Sequence, residues 1–348
     1  MPAGAAPTWE SSRPTVRNRP PTHDRPPVRD RPPKVRRRGR WRRRITIALT
    51  LIVIALIGFG VYLDQNLNRV AALPADSAAE SSGTNWLIVG SDSRADLSAE
   101  EEERLGTGDA AGQRTDTIML LHSGSSGSVL VSLPRDSYVP IPGKGSNKLN
   151  AAYAFGGAPL LIQTVENATG LRIDHYAEIG FGGFVGAVDA VGGVDLCVPQ
   201  AIKDPKAALD IKAGCQELDG ATALGYVRTR ATAGSDFDRV QRQREFLSAL
   251  IAKATSVGTL ANPFRIVPLA DSVTGLITVD DSDHIWNVAQ LGLAMKGVTN
   301  GGIATTTPVG GTPTIGGQSV VKWDKDRASA LFAALQKDET PPRSALGP

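Results

Sequence analysis

The sequence lacks three things that would have settled its class at once. It shows no internal repeat, which argues against a stacked or bladed architecture. It carries two cysteines, Cys197 and Cys215, so one disulfide is the most it can form within the chain. And it has no surplus of basic charge beyond its first 44 residues. That stretch holds 14 Lys/Arg against Glu10, Asp24 and Asp30, a net of +11; the remainder holds 24 against 32 acids, a net of −8. The overall +3 therefore belongs to the N-terminus. A nucleic-acid binder wants its basic face on the folded part, so no nucleic-acid partner is expected.

What is present begins with a tail, residues 1–44, rich in Pro and Arg. From Ser11 to Arg44 it has almost no apolar residues, so it cannot bury enough surface to offset its ordering entropy and reads as disordered. It ends in two arginine triplets, and the uncharged run Ile45–Leu63 follows, long enough to cross a bilayer as a helix. Arginines before the run and Asp64 after it place the N-terminus in the cytoplasm and residues 64–348 outside. A cleaved signal peptide is the competing reading, but the basic region is too long for one. Residues 64–84 read as a polar stalk, 85–337 as the folded domain and 338–348 as a frayed tail. Outside the membrane a Cys197–Cys215 bridge is expected, since the compartment permits it.

From Asn85, β-type runs alternate with helical patterns, which predicts an α/β domain. Strands are expected at Trp86–Val89, Thr117–His122, Ser128–Leu133, Ala177–Ile179, Val194–Val198 and Ile303–Thr307. Helices are expected at Ala151–Thr169, Phe184–Val191, Gly220–Gly225, Phe237–Thr255, Asp283–Lys296 and Lys325–Leu335. Ser123–Gly127 has the composition of a hairpin turn. A turn centred between Ser125 and Ser126 sets Asp116 opposite Arg135. If the strand ending at Gly90 is antiparallel to the next, Asp92 shares that rim, and two carboxylates and an arginine suit a metal-bound phosphate.

Single motifs are weak. Gly90-Ser-Asp-Ser-Arg94 is equally a turn with an Asx bond. Arg114-Thr-Asp-Thr117 is equally a salt pair at a strand start. In Tyr226-Val-Arg-Thr-Arg230, read as extended, alternation puts Arg228 and Arg230 on one face, where an anion or simply water relieves their repulsion. Ser235–Arg244 opens a helix with Arg239 and Gln243 four apart near its N-terminus, where anions are favoured, and with Arg242 displaced from the apolar stripe.

Taken in order, WLIVGSDSR, GQRTDTIML, VLVSLPRDSYVPIPG, NKLNAAYAFGG, VDAVGGVDL, YVRTR and DFDRVQRQ resemble the LytR-CpsA-Psr family of cell-wall glycopolymer ligases, over about residues 85–255. The acidic insertion Asp96–Gly112 departs from the pattern. The resemblance implies a mixed central β-sheet flanked by helices enclosing a hydrophobic lipid pocket, preceded by one transmembrane helix. It implies a polyprenyl-pyrophosphate-linked glycan and peptidoglycan as partners, beside membrane lipid, and Mg²⁺ as cofactor. By match, Asp92 and Asp116 would hold Mg²⁺. Arg135, Arg228, Arg230, Arg239 and Gln243 would clamp phosphate oxygens, with Arg94, Arg114 and Arg242 behind them. Phe181, Phe184 and Val185 would face the lipid tail. Catalysis would fall to Asp116, Arg135, Arg228 and Arg230; no general base stands out, and Asp116 is the one candidate.

The implied reaction transfers the glycan to a peptidoglycan hydroxyl as a phosphodiester. Composition of an actinobacterial kind favours arabinogalactan over teichoic acid as the polymer. Two other readings share the site: a non-catalytic lipid-carrier sensor that attenuates wall-gene expression, and a pyrophosphatase with water as nucleophile. Two acids and several arginines at one rim are more than a tail-binder needs.

Overall fold

The computed structural model of the chain describes residues 38–75, 80–91, 98–105, 115–229, 231, 235–254, 256–260 and 262–347. The chain divides between Val53 and Ile54 into two compact units, and the second, Ile54–Pro348, holds the sheet and every site residue described below.

Helix α1 runs Arg38–Gln65, and β1 (Asn68–Val70) follows at once. Then come β2 (Thr84–Ser91), the short α2 (Ala99–Arg104) and a hairpin of β3 (Thr115–Gly124) and β4 (Gly127–Ser132). A second hairpin, β5 (Tyr138–Ile141) with β6 (Gly145–Lys148), leads into α3 (Leu149–Thr169) and β7 (His175–Ile179). Next are α4 (Phe181–Ala190), β8 (Val194–Val198), β9 (Ile202–Asp204), β10 (Leu209–Ile211) and β11 (Gly214–Leu218). Helices α5 (Gly220–Arg228), α6 (Ser235–Ala254), α7 (Val257–Leu260) and α8 (Pro263–Leu276) succeed them. Finally β12 (Ile277–Asp280), α9 (Ile285–Thr299) and β13 (Ile303–Thr306) complete the sheet, and α10 (Lys325–Gln336) covers it.

The central sheet has seven strands in the order β1-β12-β7-β2-β3-β4-β13. It is mixed: β2–β7, β4–β13 and β1–β12 are parallel, whereas β2–β3, β3–β4 and β7–β12 are antiparallel. Both faces are buried, which is why Trp86–Val89 reads as an unbroken apolar run. Leu87 and Val89 face α3 and α10 through Leu161, Ile162 and Leu331. Trp86 and Met119 face α9 through Leu291 and Met295. A separate core joins α4, α5 and α6 to the β8–β11 ribbon.

The β3–β4 register pairs Met119 with Ser132 and Gly124 with Gly127, so the turn lies where its Ser/Gly composition predicts. All six expected strands and all six expected helices are present within a few residues. Helix α3 bends at Gly156–Gly157, where Gly157 takes φ 63°, a left-handed conformation that glycine adopts without a Cβ penalty.

Three expectations need correction. Residues 64–84 are not a stalk: β1 adds to the sheet edge, Ala72 is fully buried, and Asp280 accepts from the Ala72 and Leu73 amides at 2.9 and 2.8 Å. The tail expected at 338–348 is not frayed over its described residues, 338–347, because Asp338 binds the Ser125 and Ser126 hydroxyls at 2.6 and 2.9 Å and Ala345 is buried. Tyr226–Arg228 is the last turn of α5, not an extended segment: Asp219 caps that helix through the Thr222 amide at 2.8 Å, and Leu224 and Val227 bury its apolar stripe.

Candidate functional site

A cavity of about 330 Å³ opens between the sheet and α4, α5 and α6. Ile88, Met119 and Ile179 form its floor from β2, β3 and β7. Phe181, Phe184, Leu224, Val227, Phe246 and Leu247 form its walls, with the Phe184 and Phe246 rings 5.0 Å apart. Gly90 lies against Thr117: a Cβ there would stand 3.1 Å from the Thr117 Cβ, so a bare backbone keeps the two strand ends close beside the cavity. The polar lining comes from Ser91, Asp116, Thr117 and Arg228.

Asp116 occupies the register shift where β2 pairs with β3, between Thr115 and Thr117. Its carboxylate is half-exposed and pairs with the Arg135 guanidinium, which reaches across from the end of β4. Arg135 also meets Asp136 at 3.5 Å, and Asp136 takes Lys148 at 2.8 Å. Carboxylate and cation thus alternate here, in the order Asp116, Arg135, Asp136, Lys148, which fixes the arginine's planar fork in orientation.

Arg228 leaves the last turn of α5 with its guanidinium 4.8 Å from the centre of the Phe181 ring. Its Nη1 donates to the Leu105 carbonyl at 3.0 Å. Leu105 follows α2 within the acidic insertion and is buried, so that insertion returns to the rim. Sequence reasoning marked the insertion as a departure but gave no sign of this contact. Its one local signal is the capping box of Ser98 and Glu101, which predicts a helix start.

Arg242, expected among the outer phosphate candidates, is buried. It donates to the Thr229 carbonyl at 2.7 Å and lies 5.9 Å from the Tyr226 ring centre. Burial pushes the Tyr226 phenol above its ordinary pKa, so it stays neutral beside that guanidinium. Arg242 therefore ties α6 to the end of α5. Val185, expected at the lipid tail, does not line the cavity; its backbone and side chain press on Gly220 at the start of α5. Asp92, Arg94, Arg114 and Arg230 lie outside the described residues, as do the side chains of Arg239 and Gln243 on α6.

Glu178 was missed altogether. It accepts from the hydroxyls of Tyr153 on α3 at 2.9 Å and Tyr176 at 2.8 Å, on the strand that sends Ile179 into the cavity. Burial, then the Glu178 charge, pushes the Tyr176 phenol well above its usual pKa, so it remains a donor to Glu178, and the Tyr153 hydroxyl on the same carboxylate ties α3 to β7. Cys197 and Cys215 face each other across β8 and β11 and are joined by a disulfide.

An apolar cavity with a carboxylate and arginines on one rim suits an amphiphile with an anionic head and a hydrocarbon tail. Helix α1 adds 25 apolar-rich residues, Trp41–Gln65, roughly 37 Å of helix against a hydrocarbon core of about 30 Å, which fits single-pass membrane anchoring. The fold and site together define an α/β protein with one helix long and apolar enough to span a membrane and an apolar cavity edged by charge. The chain belongs to the LytR_cpsA_psr family, whose model matches residues 63–337. It is 55% identical over 295 residues to the probable cell wall biosynthesis protein LcpB of Corynebacterium glutamicum, covering 84% of this chain and 70% of that one. It is 32% identical over 238 residues to the polyisoprenyl-teichoic acid–peptidoglycan teichoic acid transferase TagT of Bacillus subtilis, covering 65% and 74%. In fold it is similar to the LytR-Csp2A-Psr enzyme from Actinomyces oris, with a TM-score of 0.62 at 23% identity over 79% of this chain and 97% of that one.

Proposed function

We propose that the protein is an extracytoplasmic, Mg²⁺-dependent phosphotransferase that moves a cell-wall glycopolymer from a polyprenyl-pyrophosphate carrier to peptidoglycan. The observation that carries this reading is the placement of Asp116 and Arg228 on the rim of a cavity otherwise walled by apolar side chains. The prenyl tail lies among Phe181, Phe184 and Phe246, and the pyrophosphate meets Arg228 and Arg135. Relatives named for cell-wall biosynthesis and for teichoic acid transfer to peptidoglycan support the substrate class.

A hydroxyl oxygen of peptidoglycan attacks the phosphorus that bears the sugar. The bridging P–O bond breaks, polyprenyl phosphate leaves and takes up the hydroxyl proton, and the glycan stays attached through a phosphodiester. Such transfers need positioning and stabilisation of oxygen charge more than covalent help from the protein. Arg135 and Arg228 supply fixed positive charge, and the apolar walls keep water from the attacked phosphorus.

Among the described residues no three His, Cys, Asp or Glu side chains cluster as an all-protein metal cage. A half-exposed carboxylate on a phosphate-binding rim fits Mg²⁺ instead, because that ion takes one or two carboxylates and completes its shell with substrate oxygens and water. Asp116, with Asp92, would hold it, and bound there it would neutralise phosphate charge. Export of residues 64–348 is supported by the arginines just ahead of the uncharged run at Ile45 and by the disulfide.

The test is incubation of the purified full chain with a polyprenyl-pyrophosphate glycan, Mg²⁺ and peptidoglycan. A phosphodiester-linked glycan–peptidoglycan product is expected. Release of glycan phosphate with no such product would make the protein a pyrophosphatase, and binding without turnover would make it a sensor.

A further inference from the structure

Outside α1, few large apolar side chains are exposed among the described residues: Val70, Phe155, Val267, Trp286 and Leu293. Four of these five sit on three elements, β1, α8 and α9. Those are the elements that receive the end of α1. Tyr62 donates its hydroxyl to Asp271 on α8 at 3.0 Å. The Asp64 carboxylate accepts the Ile285 amide, the first of α9, at 2.9 Å. Arg69 joins the same knot, pairing with Asp64 at 3.0 Å and donating to the Asp283 carbonyl at 3.1 Å.

The outer face of α9 is unusual in its chemistry. Trp286, Ala289 and Leu293 fall at i, i+3 and i+7, on one stripe, and all three are exposed; Trp286 is 56% exposed and Leu293 68%. No charged residue occurs from Ile285 to Met295, and Lys296 closes the stripe. The Trp286 ring stacks on His284 with centroids 4.2 Å apart, which holds it outward from the first turn. Half-exposed Tyr62 lies two residues before Asp64, so the two aromatics flank the point where the span ends. Tryptophan and tyrosine at that level are the side chains of a membrane–water interface, and a terminal lysine there can reach back to headgroups.

We propose that the outer face of α9, with Val70 and Val267 beside it, is a seat for the bilayer surface, so that the domain rests on the lipid in one fixed orientation. The inference rests on the anchoring by α1 and does not depend on the transferase reading. The occupant is lipid because the stripe starts one residue after Ile285, whose amide is bonded to the end of the span, where the bilayer surface must be. Helix α9 packs beside α6 on the sheet face that floors the cavity, and α6 supplies Phe246 and Leu247 to the cavity wall. The seat therefore brings the layer that holds the cavity down to the lipid from which a prenyl tail would come.

The test uses the full chain in phosphatidylethanolamine–phosphatidylglycerol vesicles. Leu293→Cys and, separately, Ala289→Cys supply the one free thiol for a nitroxide label, since Cys197 and Cys215 are paired. Lys325→Cys on α10 is the solvent control; all three sites are exposed, so the core is untouched. Collisions with oxygen, which concentrates in lipid, are compared with collisions with a water-soluble nickel chelate. The oxygen-to-nickel ratio at 289 and 293 should exceed that at 325 several-fold. A ratio equal to the control would mean a solvated face, and loss of both collisions would mean a protein partner; either overturns the proposal.

Discussion

The Arg135 guanidinium grips the Asp116 carboxylate from the neighbouring strand end, at the point where β3 breaks register with β2. The pair lies where the apolar cavity meets water, and it joins a group suited to a metal with a group suited to a phosphate oxygen.

Asp116→Asn keeps the size of the side chain and removes its charge. We expect Mg²⁺-dependent turnover to fall by at least a hundredfold, about 2.7 kcal/mol of transition-state stabilisation. Stability should change by less than about 1 kcal/mol, because the lost ion pair is half-exposed. Turnover titrated against Mg²⁺, beside a denaturant melt, checks both; wild-type turnover at limiting Mg²⁺ sinks the assignment.

On the proposed reading Arg228 meets phosphate in substrate and transition state alike, so Arg228→Ala should raise KM and lower kcat. Arg228→Lys should recover little, because an ammonium cannot donate to the Leu105 carbonyl and spread over the Phe181 ring as a planar fork does. Steady-state kinetics of the two variants decide it, and recovery of wild-type kcat/KM by lysine would reduce Arg228 to a point charge.

The disulfide joins directly opposed residues of β8 and β11, 18 apart in sequence. On the chain-entropy model the closed loop contributes about 3 kcal/mol. Reduction should lower the midpoint of unfolding accordingly, without dissolving the sheet, since β8 and β11 lie outside it. Melts with and without reductant measure the shift; identical curves with the bond demonstrably reduced would contradict it.

Asp338 takes the Ser125 hydroxyl first, against the opposing pull of burial, then the Ser125 amide and the Ser126 hydroxyl and amide, and together they hold its carboxyl well below the ordinary 3.8. The unfolded chain therefore takes up that proton before the folded one does. The stability Asp338 contributes is present above the unfolded value and is lost as pH falls from about 3.8 toward the folded value. Asp338→Asn should lower stability at neutral pH and flatten its decline in acid. Equilibrium unfolding at pH 7 and below 4 reads the difference, and parallel declines in both proteins would remove Asp338 from the account.

Much of this was legible in the sequence, and the reasons differ by element. The hairpin turn was set by Ser123–Gly127, and with it the Asp116–Arg135 pairing, because register follows from a turn and a period of two. β1 and β12 were not legible. Each is short, and β1 is held to β12 by backbone pairing of Asn68 with Thr278, which no local pattern announces. The α5 turn was misread because Tyr226 and Val227 are strand-favouring residues; burial in the core and the Asp219 cap outweigh that local preference. Glu178 was invisible because its two tyrosine partners come together only when α3 packs on the sheet.

The knot of Asp64, Arg69 and Ile285 leaves no slack between span and domain. A flexible tether of about 20 residues would have given roughly 25 Å of root-mean-square reach, and with it a volume to search. On the proposed reading, such a joint would hold the reactive rim at one height above the bilayer. A lipid-borne donor would then need only lateral diffusion to arrive. A wall strand would have to come within that height, and so would qualify by where it lies as much as by its chemistry.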